Sequence, residues 1–206
     1  MLPKDGEALY TSAFLLSPEA DDLLAHLLVT VPWKQESIRL FGRDLTMPRL
    51  TAWYGDPQAV YTYSGLTNQP LPWLGPLARL RARLERATGA RFNSALLNLY
   101  RDGNDAMGWH ADNEPELGPK PTIASVSLGA KRIFEMRHRV DGGRVRYSLE
   151  HGSLLVMSGD SQRAWMHRVA KSRAVVDPRI NLTFREVARR PSAEERTQID
   201  GRPHAR

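Results

Sequence analysis

The chain has 206 residues, 41% apolar and 25% charged, which suits one globular domain with a sizeable core. It has no cysteine, so disulfide frameworks, thiolate metal sites and cysteine nucleophiles are excluded, and histidine and carboxylate remain as metal ligands. The net charge of +6 and the pI near 9.9 rest on arginine, since only five of the 29 cationic side chains are lysine; arginine's planar fork suits phosphate, although a GC-rich genome enriches it equally.

No stretch approaches the roughly 18 apolar residues that span a bilayer. The first residues carry Lys4, Asp5 and Glu7 ahead of a short apolar run at 13–16, without the long apolar core of a secretory leader. The expected setting is the cytoplasm (nucleoid-associated in a bacterium), with no membrane partner.

Ser17-Pro18-Glu19 then reads as a helix start: a hydroxyl N-cap, proline in the first turn, and acids. Leu23, Leu24, Leu27 and Leu28 follow at helical spacing until Pro32. Residues 38–65 are rich in aromatics and turn formers, with short strands and turns expected at Leu40-Phe41-Gly42 and Tyr54-Gly55-Asp56. A second helix is predicted over 74–88, with Leu77, Leu80 and Leu84 as its apolar stripe and Gly89 as terminator. Beyond Phe92 the pattern turns to period two. It predicts strands at 94–100, 123–128, 132–137, 144–149, 153–158, 164–169 and 179–187, with a hairpin turn at Asp141-Gly142-Gly143. Helices followed by a run of antiparallel strands indicate an α+β protein with a sandwich or jelly-roll core. Residues 189–206 are polar, lack an apolar face, and read as a disordered tail.

Four short patterns carry chemistry. In an extended segment, His110 and Asp112 project from one face, so both can reach one metal ion; a chance surface pair gives the same pattern. His167, inside Trp165-Met166-His167 and 55 residues beyond Asp112, supplies a third ligand. Two histidines and a carboxylate make the facial triad of non-haem iron(II) oxygenases, while a structural histidine beside a core tryptophan is the alternative. Residues 179–185 alternate without a break: Arg179, Asn181, Thr183 and Arg185 share one face, and Ile180, Leu182 and Phe184 the other. Two arginines inside a barrel are costly unless an anion meets them, and a dicarboxylate such as 2-oxoglutarate is such an anion; a solvated sheet face would show the same alternation. Asn98 and Tyr100 repeat the arrangement with neutral donors, as an ordinary strand also could.

Taken in order, Asn98-x-Tyr100, His110-x-Asp112, His167 and Arg179-x-Asn181-x-Thr183-x-Arg185 resemble the AlkB family of Fe(II)/2-oxoglutarate dioxygenases, over roughly residues 38–187. The likeness is greatest to the duplex-DNA-repairing eukaryotic-type homologues, through Arg91-Phe92-Asn93-Ser94, Tyr100-Arg101-Asp102-Gly103, the segment 123–129 and His151-Gly152-Ser153-Leu154-Leu155. The resemblance implies a double-stranded β-helix (jelly-roll) core with supporting N-terminal helices. It implies one dioxygenase domain over 1–188, with a nucleotide-recognition region at 37–65, acting as a monomer.

By the same resemblance, His110, Asp112 and His167 would hold Fe(II). Arg179, helped by Tyr100, would take the distal carboxylate of 2-oxoglutarate. Asn98, Asn181, Thr183 and Arg185 would complete that pocket, with Arg185 at the iron end. Tyr61 or Tyr63 would stack on a flipped base. Asn113 and Glu114, where relatives often carry two acids, would meet the base edge. Phe41, with Gly42 and Arg43, resembles a hairpin that enters the duplex as an apolar wedge. The implied reaction is oxidative demethylation of bases such as 1-methyladenine and 3-methylcytosine in DNA. O2 and 2-oxoglutarate would be consumed, and succinate and formaldehyde released. An oxygenase acting on RNA and a catalytically silent damage-binding module are the alternatives.

Overall fold

The computed structural model describes residues 1–40, 43–63 and 66–188, with side chains except those of 38–44 and 61–68. The first half holds β1 (Glu7–Thr11), α1 (Ser17–Thr30), the hairpin β2 (Ser37–Leu40) and β3 (Arg43–Thr46), and β4 (Leu50–Gly55). After these come a second hairpin, β5 (Tyr61–Tyr63) and β6 (Leu66–Asn68), and then α2 (Gly75–Thr88). The second half holds β7 (Ser94–Tyr100), β8 (Met107–His110), β9 (Ile123–Gly129), β10 (Arg132–His138) and β11 (Arg144–Leu149). It closes with β12 (Leu154–Ser158), the single turn α3 (Ser161–Ala164), β13 (Trp165–Val169) and β14 (Arg179–Arg185).

The strands make two main antiparallel sheets. The larger runs β1-β12-β9-β14-β7-β4 and the smaller β11-β10-β13-β8. Alternation on β14 explains why the larger sheet is buried on both sides. Ile180, Leu182 and Phe184 are each fully buried in the layer that includes Leu27 of α1 and Leu77 and Leu84 of α2. A fully buried leucine of this kind contributes about 1.5–3 kcal/mol relative to an exposed one. The opposite face looks into the space between the sheets, where Tyr100, Phe134, Met136, Trp165 and Val169 form a second apolar cluster. This arrangement is the jelly-roll core expected from the sequence, with α1 and α2 supporting it from outside.

Several boundaries differ from the sequence reading. Ser17 is the first residue of α1 rather than its cap; Leu16 flanks the helix without a side-chain cap bond, and Pro18 in the first turn sets the start. β1 was not expected, because five residues with only Ala8 buried and Tyr10 half-buried carry little alternation; it is held by pairing with β12. Residue 164 ends α3 instead of opening β13, and β14 stops at Arg185 rather than at 187. The predicted second helix and its terminator are both found, with Gly89 in the left-handed conformation at φ 70°. Residues 189–206 lie outside the described residues.

Candidate metal and co-substrate site

Antiparallel pairing of β13 with β8 sets His167 directly opposite His110, with a register shift just beyond, towards Val169. The two rings lie 4.2 Å apart between centroids, at 71°. Phe134 of β10 stacks on His167 from the neighbouring strand at 5.0 Å. Asp112 was expected on a continuous extended segment, but β8 ends at His110. The carboxylate nevertheless reaches the histidines, and one ligand atom from each of His110, Asp112 and His167 lies within 4.8 Å of the others.

The proton arrangement around His110 tests whether a cation fits. Its Nδ1 lies 2.9 Å from the carbonyl oxygen of Gly108. A carbonyl can only accept, so Nδ1 carries the hydrogen and Nε2 presents a lone pair. That lone pair stands 3.8 Å from Asp112 Oδ1. Two acceptors facing each other across a buried gap repel unless a cation bridges them, and the donor set N, N, O suits a first-row divalent metal such as iron(II). Burial lowers the pKa of His110 and drives that of His167 down to about 3, with His110 adding to the effect. Both rings are thus held neutral, as metal ligands must be. Burial alone would raise the pKa of Asp112, but Arg185 foremost, and then the two histidines, hold it below its ordinary value. Arg185 Nη2 donates to Asp112 Oδ2 at 2.8 Å, which leaves Oδ1 directed at His110.

The polar face of β14 continues this site. Arg179 is 1% exposed. Its Nη2 donates to Ser127 Oγ at 2.9 Å, and its guanidinium carbon lies 5.2 Å from the centre of the Tyr100 ring. Nε and Nη1 are buried with no partner among the described residues, and burial pulls its pKa down to about 10. Arg132, 5.5 Å from the centre of the same tyrosine ring, shows the contrast: it donates to the carbonyls of Asp102, Asp105 and Ala170. A buried guanidinium with two unmet donors fits a carboxylate. Asn181 donates to Ser125 Oγ at 2.8 Å and accepts from Thr183 Oγ1 at 3.3 Å.

His110, Asp112, His167, Asn98, Tyr100, Asn181, Thr183 and Arg185 all line one cavity between the sheets. Arg179 does not line it but lies against Tyr100, which does. Glu114 borders the cavity, with Oε2 buried and without a partner among the described residues. Asn113 is exposed and is not part of the lining. Phe41 and Gly42 lie outside the described residues, as do the side chains of Arg43, Tyr61 and Tyr63.

Arg49 is a cavity residue that the sequence reading missed. It is 5% exposed, and its Nε donates to Asn98 Oδ1 at 2.8 Å. Asn98 therefore uses its amide oxygen on Arg49. In sequence, Pro48-Arg49-Leu50 has no alternating pattern that would mark this arginine as buried.

A family profile described as the 2OG-Fe(II) oxygenase superfamily matches residues 7–185. The mouse alpha-ketoglutarate-dependent dioxygenase alkB homolog 3 (Mus musculus) is 48% identical over 182 residues, covering 82% of this chain and 62% of its own length. The human DNA oxidative demethylase ALKBH2 (Homo sapiens) is 41% identical over 180 residues, covering 82% of this chain and 69% of that protein. The chain thus spans 62% of the length of the homolog 3 relative. Among solved structures, OsALKBH1 superposes with a TM-score of 0.62 at 19% identity, over 90% of this chain and all of that one. A 2OG-Fe(II) oxygenase family oxidoreductase from Burkholderia pseudomallei superposes at 0.60 and 14% identity, over 89% of this chain and 88% of the other. At these identities the superpositions bear on the fold alone.

Proposed function

This chain belongs to the 2OG-Fe(II) oxygenase superfamily and, within it, to the AlkB family, and from that premise we propose that it is an oxidative demethylase of alkylated DNA bases. The observation that carries the proposal is a pairing within one jelly roll. The lone pair of His110 Nε2 faces a carboxylate oxygen at 3.8 Å with His167 beside them, and on β14 a buried arginine keeps two donors without partners among the described residues. The first arrangement calls for a cation, the second for a carboxylate. The printed name of the ALKBH2 relative, DNA oxidative demethylase, supports DNA as the substrate.

When bound, iron(II) with O2 and 2-oxoglutarate supplies the oxidation of an N-methyl group, the co-substrate leaving as succinate and carbon dioxide. The chain's own residues hold, orient and shield. His110, Asp112 and His167 would bind the metal on one side and leave the cavity side open. Arg179 would meet the distal carboxylate of 2-oxoglutarate with Nε and Nη1, which have no partner among the described residues, and Tyr100 would flank it. Arg185, bound to Asp112 Oδ2, would keep that ligand's other oxygen directed at the metal and stand at the iron end of the co-substrate. Asn98, Asn181 and Thr183 would complete the polar lining.

Tyr61 or Tyr63 would stack on the extruded base, Glu114 would accept from its edge, and Phe41 with Gly42 and Arg43 would fill the gap left in the duplex. Residues 37–65 would thus serve as the nucleotide-recognition region of one dioxygenase domain over 1–188. Once hydroxylated, the methyl group leaves the base as formaldehyde.

The test is turnover on oligonucleotides carrying 1-methyladenine or 3-methylcytosine, with succinate and formaldehyde measured together. Release of both in a one-to-one ratio, dependent on the lesion, is the expected outcome. Binding of the damaged oligonucleotide without either product would make the protein a damage-binding module instead. Turnover confined to a methylated RNA strand would shift the substrate to RNA.

A further inference from the structure

Asp112 lies beyond the end of β8 and outside its register with β13. Its N–H donates instead to Gln162 Oε1 at 3.0 Å, across 50 residues of sequence. Gln162 is 1% exposed. Its amide orientation is settled by chemistry, because only the oxygen can accept from an N–H. The other end of the amide donates to Ser161 Oγ at 3.3 Å and to Met157 Sδ at 3.5 Å. Gln162 sits in the single turn α3, which runs directly into β13 and so into His167.

We infer that Gln162 is a positioning residue for the metal ligand Asp112, so that the segment 162–167 both anchors one ligand and carries another, His167. The inference rests on the iron-site reading above. Asp112 is held at two points: Arg185 takes Oδ2, and Gln162 takes the backbone N–H. With the Gln162 bond removed, the buried N–H must find another acceptor, and the loop carrying Asp112 can do so only by moving. Oδ1 then leaves its place opposite His110 Nε2. His167 follows Gln162 five residues later on the same segment, in β13, where it pairs with His110.

The measurement is Mn(II) affinity of the metal-free protein by calorimetry, with the melting temperature of the same samples recorded without metal. Gln162→Met keeps length and apolar bulk but supplies no comparable acceptor. It should weaken Mn(II) binding by about 10- to 100-fold, the range expected for partners that orient metal ligands. Gln162→Asn, which draws the oxygen back by one methylene, should act in the same direction and serves if the methionine variant does not fold. Ser161→Ala removes a neighbour of the amide but keeps the acceptor facing Asp112; it should lower the melting temperature while leaving Mn(II) affinity within about twofold of wild type.

Wild-type affinity in a folded Gln162 variant, or equal losses in the Gln162 and Ser161 variants, would overturn the positioning role. Wild-type protein that takes up no Mn(II) would defeat the iron-site reading, and this inference with it. A simple structural role for Gln162 would move the melting temperature and leave Mn(II) affinity alone.

Discussion

Replacing Arg179 with methionine should have opposite effects on two quantities. Arg179 is a 1%-exposed cation whose Nε and Nη1 have no partner among the described residues. Exchanging buried ionic groups for apolar ones of similar bulk is commonly neutral or stabilising, by about 1–4 kcal/mol. In a chain of this size, that corresponds to a rise of roughly 2 °C or more in melting temperature. In the complex the balance reverses. The distal carboxylate would lie buried without its partner, at a cost of about 3–5 kcal/mol, which is a loss of at least about a hundredfold in 2-oxoglutarate affinity.

Calorimetry with 2-oxoglutarate on Mn(II)-loaded protein, beside thermal melts of the metal-free form, reads both quantities. Arg132→Met is the control. It sits on the same tyrosine but already satisfies three carbonyls, so its loss should destabilise the protein and spare co-substrate affinity. If Arg179→Met lowered the melting temperature as Arg132→Met does and left 2-oxoglutarate binding unchanged, the unmet donors would not be a carboxylate site.

Asp112→Ala should abolish Mn(II) uptake and also lower the melting temperature, because the buried ion pair with Arg185 is lost; intact metal binding in a calorimetric titration would remove Asp112 from the ligand set. The metal-free protein should lose stability on acidification. His167 titrates near 3 when folded and near about 6.5 when unfolded. Its contribution is therefore complete above the unfolded value and falls below it by up to about 1.4 kcal/mol per pH unit, with Asp112, also lowered, acting in the same direction at lower pH. A melting temperature that stays flat from pH 7 to about pH 5 would contradict neutral buried imidazoles. Phe41→Ala should impair repair of a lesion in duplex DNA about 10-fold, for a loss of about 1.4 kcal/mol, and change single-strand repair much less. Parallel losses on both substrates with a lowered melting temperature would make Phe41 a core residue.

The parts of this protein that were legible in the sequence are those governed by near neighbours. Residues 179–185 alternate so regularly that both faces of β14 could be assigned before any pairing was known, and the leucine stripe of α2 with its terminal glycine marked that helix nearly to the residue. The triad was legible as residue types, His110, Asp112 and His167, and their family resemblance gave them roles. Its geometry was not legible, because it depends on which strands pair and in what register. His110 meets His167 only because β8 lies against β13, and a one-residue slip would turn one ring to the opposite face.

Tertiary structure alone decided the supporting contacts. Arg49 reaches Asn98 across 49 residues and Gln162 reaches Asp112 across 50, and neither stands in a local pattern that records its burial. β1 likewise exists through β12 rather than through its own five residues. Period and turn chemistry are written in adjacent residues, whereas the satisfaction of a buried donor depends on whatever acceptor the sheet register brings to it. The sequence therefore determined which groups could bind iron and a dicarboxylate, and the strand pairing within two facing sheets decided that the triad and Tyr100 share one cavity, with Arg179 against that tyrosine.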